Sequence, residues 1–212
     1  MQIISASAVI EDATPDALRR IEIVGRTCYK SEDRIAPGSD DKFVRMIRDK
    51  GHLAMFDHVH VSVRFVVDRG VSHEIVRHRV GVGYAQESTR YCNYSKDKFG
   101  SGVTYIRPNF LNFDSTDPKM QRRCARWLRA MEAAEQTYLE DLADDAKPQE
   151  ARGYLPHFVK TEIVVTGSFT YWRHFFKQRT DPAAHPQMRE VTVPLLAEFI
   201  QRWPAAFDDF KS

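Results

Sequence analysis

The sequence predicts an α+β fold, with a small sheet packed against several helices, and three observations carry that expectation. Val59, Val61, Val63, Phe65 and Val67 alternate with other residues, the period-two pattern of a half-buried strand. Met120, Cys124, Trp127, Leu128, Met131, Tyr138 and Leu142 share one face of a long helix over about residues 116–144. Further strand-like and helix-like stretches mix along the chain, with no internal repeat and no low-complexity tract. The 212 residues fit a single domain. A chain of that size buries roughly 70% of the surface its unfolded form exposes, so it needs no disulfide staple.

Taken in order, residues 2–10 read as an opening strand. Thr14 followed by Pro15 is the pattern of an N-cap with proline at the first helical position, and the helix runs towards Tyr29. Ser39 caps a second helix, with Phe43, Val44 and Ile47 on its apolar stripe. Gly70 breaks the valine-rich strand, and residues 71–79 form a short helix. Residues 80–100 have no period and read as one long loop, of the kind that is usually functional or disordered. A strand follows over 103–107, then the long helix, then a short helix opened by Pro148. Two more helices are expected over 168–177 and 187–202. In the first of these, Tyr171, Trp172, Phe175 and Phe176 pack inward while Arg173 and His174 point elsewhere.

Composition narrows the function. The 31 basic and 29 acidic residues nearly cancel, so charge announces neither a nucleic-acid nor a membrane partner. No run approaches the ~20 apolar residues a membrane span requires. The N-terminus lacks the layout of a signal peptide, and the three cysteines form no zinc or disulfide pattern. A soluble, cytoplasmic protein is expected. Cys28 and Cys124 fall on helices, where a buried small hydrophobe is the usual role. His58 and His60 share a strand face as metal ligands sometimes do, but no cysteine or HExxH helix completes a set, so packed histidines are the expectation. Lys119, Arg122, Arg126 and Arg129 lie close to one helix face, and the acids that follow make it a solvated face. Gly81-Val82-Gly83 lacks the third glycine and the preceding strand of a dinucleotide fingerprint.

The sharpest local signal is Arg77-His78-Arg79. Cations at a helix C-terminus, where the macrodipole favours them, would explain it alone. The segment Tyr84-Ala85-Gln86-Glu87-Ser88-Thr89-Arg90-Tyr91 adds amide, carboxylate, hydroxyl, guanidinium and phenol groups that can cradle a polar ligand. Arg152 before Leu155-Pro156, and Arg179 after the aromatic stretch, are further candidates for gripping phosphate or carbonyl oxygens.

With these blocks the chain resembles the flavin-dependent thymidylate synthases, whose hallmark is Arg-His-Arg, seven residues, then Ser-x-Arg-Tyr. Arg77-His78-Arg79 and Ser88-Thr89-Arg90-Tyr91 match it, although eight residues, 80–87, stand between them. The resemblance extends upstream to Gly51-His52 and Phe56-Asp57-His58, and downstream through Arg152, Trp172-Arg173-His174-Phe175 and Arg179. Ser168 and Thr170 stand where many members carry asparagine and arginine.

The resemblance implies a mostly antiparallel small sheet within the α+β fold, and a homotetramer whose active sites are shared between subunits. It implies FAD held by Arg77, His78, Arg79, Gln86, Ser168, Thr170 and His174. It implies a pyrimidine nucleotide met by Glu74, Arg77, Gln86, Glu87, Ser88, Arg90, Arg152 and Arg179, with Arg179 polarising the uracil ring. The implied reaction is C5-methylation of a uridylate, dUMP to dTMP, with methylenetetrahydrofolate as carbon donor and NADPH as reductant. Two alternatives stand beside it: a sibling enzyme acting on UMP or making a 5-hydroxymethyl product, and a non-catalytic nucleotide- or RNA-binding protein.

Overall fold

The computed structural model describes residues 1–96, 100 and 102–210. The chain is α+β, with a small antiparallel sheet and several helices, as the sequence leads one to expect. Its strands are β1 (Gln2–Ile4), β2 (Ser7–Ala13), β3 (His60–Asp68), β4 (Val82–Gln86), β5 (Thr104–Ile106) and β6 (Lys160–Ser168). Its α-helices are α1 (Ala17–Tyr29), α2 (Ser39–Asp49), α3 (Arg69–Ile75), α4 (Pro118–Ala143), α5 (Pro148–Ala151), α6 (Phe169–Arg179), α7 (Pro186–Arg202) and α8 (Pro204–Phe207). Four strands form one sheet in the order β2-β3-β6-β4, and β1 pairs with β5 separately, in parallel.

The chain divides into two compact units. The first gathers Met1–Ser7, Val66–Ile75 and Ala85–Ile163. Its core lies under α4, where Cys124, Trp127, Met131 and Tyr138 bury against Tyr94, Val103, Tyr105 and Val159. Asp117 caps α4 by accepting the N–H groups of Lys119 and Met120, which starts the helix at Pro118, close to the expected 116. The second unit gathers Ala8–Phe65, Val76–Tyr84 and Val164–Ser212. Its core is aromatic: Phe65, Trp172, Phe175, Phe176, Phe199 and Phe207 are fully buried. The buried indole of Trp172 donates to the Val61 carbonyl at 3.1 Å, so its polar edge is satisfied.

Several sequence expectations need correction. The opening strand is two strands, because residues 2–4 pair with β5 while residues 7–13 join the larger sheet. Thr14 caps no helix. Its hydroxyl accepts the His60 N–H at 2.9 Å, and α1 starts only after Asp16, which is held at φ 46°. Ser39 is the first helical residue rather than the cap, and its hydroxyl donates to Glu22 at 2.8 Å. The valine-rich strand does end here, at Asp68, but Gly70 lies inside α3, which begins at Arg69. Asp68 accepts the Val71 N–H at 2.9 Å, and a Cβ on Gly70 would stand 2.9 Å from that carboxylate, so the glycine leaves room for the cap. Helix α3 ends at Ile75, which puts Arg77-His78-Arg79 beyond it, in a turn. The long loop contains β4. Strand β6 was not anticipated. At its end a Cβ on Gly167 would stand 2.3 Å from the Tyr171 ring, so only glycine admits that contact. Cys28 is exposed, whereas Cys124 is buried as expected. Among the described residues no helix is long and apolar enough to cross a membrane, and no group of side chains is arranged to hold a metal ion.

Candidate active site

The residues singled out by sequence fall into two groups, one in each unit.

In the first unit, the end of β4 delivers Gln86, and the turns after it carry Glu87, Ser88 and Arg90. The Gln86 side-chain amide donates to the hydroxyls of Ser72 at 2.9 Å and Thr161 at 3.2 Å, both fully buried residues. Glu87 has both carboxylate oxygens engaged. One accepts the Tyr94 hydroxyl at 2.8 Å, and the other accepts Lys160 Nζ at 3.0 Å and the Glu162 N–H at 3.3 Å. Glu87 therefore orders the segment around it. Burial alone would push the Lys160 ammonium down, but Glu162 and Glu87 overcome that and hold it above its ordinary range. Burial, reinforced by the Glu87 charge, raises the Tyr94 phenol, which stays a neutral donor. Ser88 Oγ accepts the Arg90 N–H at 3.3 Å, and the Arg90 guanidinium lies 5.5 Å over the Tyr91 ring. Arg152 is exposed on a 3-10 turn, and Glu74 is half-buried on α3.

In the second unit, His78 is the centre. It is 6% exposed, and the rings of Tyr171, His174 and Phe175 meet it edge-on with centroids 6.3, 5.5 and 5.0 Å away. Arg179 Nε donates to His78 Nε2 at 2.9 Å, which requires that nitrogen to be unprotonated. Burial first, then the charges of Arg179 and His174, push the imidazole down to about 4, so it is neutral at physiological pH. The backbone carbonyl of His78 accepts the Tyr84 hydroxyl, which also stands 3.3 Å from that of Tyr171. The basic turn is thus tied at its ring and at its backbone. Arg77 and Arg79 on either side are exposed.

A pocket of about 510 Å³ opens here, lined by Asp57, Arg77, His78, Arg79, Thr170 and His174, with Tyr171 and Val80. Aromatic rings for a flat heterocycle and two guanidiniums for phosphates suit a flavin cofactor. A second pocket, also about 510 Å³, includes His174, Lys177, Gln178, Arg179 and Asp181 in its lining. Ser168 lines neither. It is 4% exposed, and its hydroxyl donates to Asp57 at 2.7 Å while accepting the Tyr171 N–H that starts α6. Thr170 reaches the pocket, its hydroxyl donating to the Leu53 carbonyl at 3.2 Å.

Sequence reasoning did not single out Tyr171, Asp57, Lys160 and Tyr94 as partners. Asp57 lay in a quoted block, but nothing local ties it to Ser168, 111 positions away. No spacing rule finds the contact between Arg179 and His78 either, which spans 101 positions.

The chain belongs to the family described as thymidylate synthase complementing protein, which it matches over residues 9–205. It is 31% identical over 209 residues to the flavin-dependent thymidylate synthase of Mycobacterium avium, covering 90% of this chain and 78% of the relative. It is 28% identical over 213 residues to that of Corynebacterium aurimucosum, covering 95% and 83%. Among solved structures it resembles PolB, a UMP/dUMP methylase from Streptomyces cacaoi bound with 5-Br dUMP. The TM-score is 0.80 at 20% identity, over 99% of this chain and 96% of that one. The chain is an enzyme of the flavin-dependent thymidylate synthase family.

Proposed function

We propose that this enzyme methylates C5 of a uridylate, with dUMP as substrate, methylenetetrahydrofolate as carbon donor and NADPH as reductant. The observation that carries the reading is Arg179 held on a neutral, buried His78, in the unit whose pocket Arg77 and Arg79 line. Uracil C5 is a weak nucleophile until negative charge develops on the ring. A guanidinium fixed beforehand favours that charge and costs no reorganisation when it appears. In this proposal Arg179 polarises the ring, while Gln86, Ser88, Arg90 and Arg152 bind and orient the nucleotide. Glu87 shapes that segment through Lys160 and Tyr94. Arg77, His78, Arg79, Thr170 and His174 would hold FAD, which when bound supplies redox chemistry that no side chain offers.

Self-association completes the proposal. Val80, on the pocket wall, and Tyr91, beside the Ser88-to-Arg90 segment, are 87% and 76% exposed, the most exposed large hydrophobics among the described residues. A homotetramer with shared sites would cover them.

A second reading, UMP as substrate, is favoured by the likeness to PolB and by the one-residue-longer segment 80–87, which holds β4. Release of tritium from the uracil C5 position, measured in parallel with dUMP and UMP, tests both. Release from dUMP that needs methylenetetrahydrofolate supports the main proposal, and release from UMP alone supports the second. No release from either by flavin-loaded protein overturns both.

A further inference from the structure

In the second unit, a cleft of about 480 Å³ lies where the C-terminal ends of α1 and α2 meet the turn over 32–34. Arg26, Lys30, Arg34 and Lys50 contribute to its lining, against one acid, Asp33. It shares no lining residue with the two pockets described above. None of its residues belongs to the sequence blocks assigned to flavin or uridylate.

The four cations are not equivalent. Arg26 is committed: its guanidinium donates to the buried Glu22 at 2.7 Å and lies 4.7 Å over the Phe43 ring. Lys30, Arg34 and Lys50 make no side-chain hydrogen bond or ion pair with any described residue. This contrasts with Arg45 and Arg48 on α2, which both pair with Asp208. Helix C-termini attract cations, because each carries roughly half a negative charge. That accounts for Lys30 and Lys50, which follow α1 and α2 directly. It does not account for Arg34, which lies on neither helix. Lys30 also closes α1 in the left-handed region, at φ 47°, where glycine would be the cheaper residue.

The rest of the lining is Ser31 and three larger side chains, Tyr29, Phe43 and Met46. Phe43 is buried and Met46 half-buried, and the half-exposed Tyr29 ring is steadied by its hydroxyl 3.1 Å from His52 Nδ1. The cleft exceeds what a bare anion needs and lies within the ~300–1,000 Å³ range of small-molecule sites. We propose that this cleft is a second binding site, which takes a nucleotide-sized organic phosphate. Lys30, Arg34 and Lys50 meet the phosphate groups and Tyr29 meets the organic body.

The test uses the flavin-loaded enzyme, with ADP and inorganic pyrophosphate as probes in low-salt titration calorimetry. Wild type should bind both. The variant Lys30→Gln with Arg34→Gln and Lys50→Gln should lose about tenfold or more in affinity for each, since like charges gathered on one ligand act together. Tyr29→Ala should weaken ADP and leave pyrophosphate unchanged. All three cations are exposed and only Lys30 and Lys50 sit at helix ends, so the triple variant without ligand should stay folded and melt within a few degrees of wild type. Arg34→Gln alone, with about threefold weaker binding or more, supplies the same comparison if the triple variant melts lower. Equal binding by wild type and the variants, or no binding of either probe to wild type, overturns the proposal.

Discussion

Replacing His78 with phenylalanine isolates the contact on which the account of Arg179 rests. The substitution keeps a ring among Tyr171, His174 and Phe175, and it removes the nitrogen that accepts Arg179 Nε at 2.9 Å. A hydrogen bond with one charged partner contributes roughly 1.5–3 kcal/mol. Arg179 is half-buried, so water replaces part of the lost contact and the lower end applies, about 1.5 kcal/mol or tenfold. Loss of position adds to this, since a displacement of about 1 Å can cost 100-fold in rate. The expected result for His78→Phe, measured with FAD at saturating concentration, is therefore a 10- to 100-fold drop in kcat. His78→Gln, which can offer an acceptor oxygen, should recover part of the loss. The deciding assay is a double-mutant cycle with Arg179→Ala. If His78 acts through Arg179, the double variant should be no slower than Arg179→Ala alone. Losses that simply add, or a His78→Phe enzyme with wild-type kcat, would refute the reasoning.

Other outcomes follow from the same geometry. Arg179→Ala should lower turnover roughly 100- to 1,000-fold while leaving flavin bound and reducible by NADPH, as the absorbance spectrum would show. Arg179→Lys should rescue poorly, because an ammonium cannot reproduce the planar fork. His78 is held down to about 4 in the folded chain, against 6.5 when unfolded. As pH falls through that window the unfolded state takes up a proton that the folded state refuses. Calorimetric stability should therefore decline by up to about 3 kcal/mol, and His78→Phe should flatten the slope. Cys92→Ala should keep turnover within ~10-fold of wild type, since the proposed chemistry needs no thiol; complete loss in a folded, flavin-loaded variant would support a cysteine nucleophile instead.

How much was legible beforehand depended on whether the signal was local. Strand β3 shows in its alternating valines, and α4 in its apolar face. Strand β6 stayed hidden because Val164 and Val165 are adjacent and Gly167 weakens the pattern, although Thr161, Ile163 and Val165 all point inward. Strand β4 sets Gly83 and Ala85 beside Val82 and Tyr84, a mixed propensity that leaves its sheet partner to decide its state. The candidate site was legible as residue types within short blocks. Partnerships between distant residues, such as Glu87 with Lys160, Ser168 with Asp57 and Arg179 with His78, are set by tertiary contacts that no spacing encodes.

The central claim, carbon transfer to uracil C5, is tested most directly by following the carbon. Flavin-loaded enzyme is given dUMP, NADPH and methylenetetrahydrofolate labelled with 13C in its methylene group, and the nucleotide is recovered for mass spectrometry. The account predicts thymidylate carrying the label in its methyl group, formed only when all three small molecules are present. Recovery of unmodified dUMP, while NADPH is consumed through the flavin alone, would contradict it.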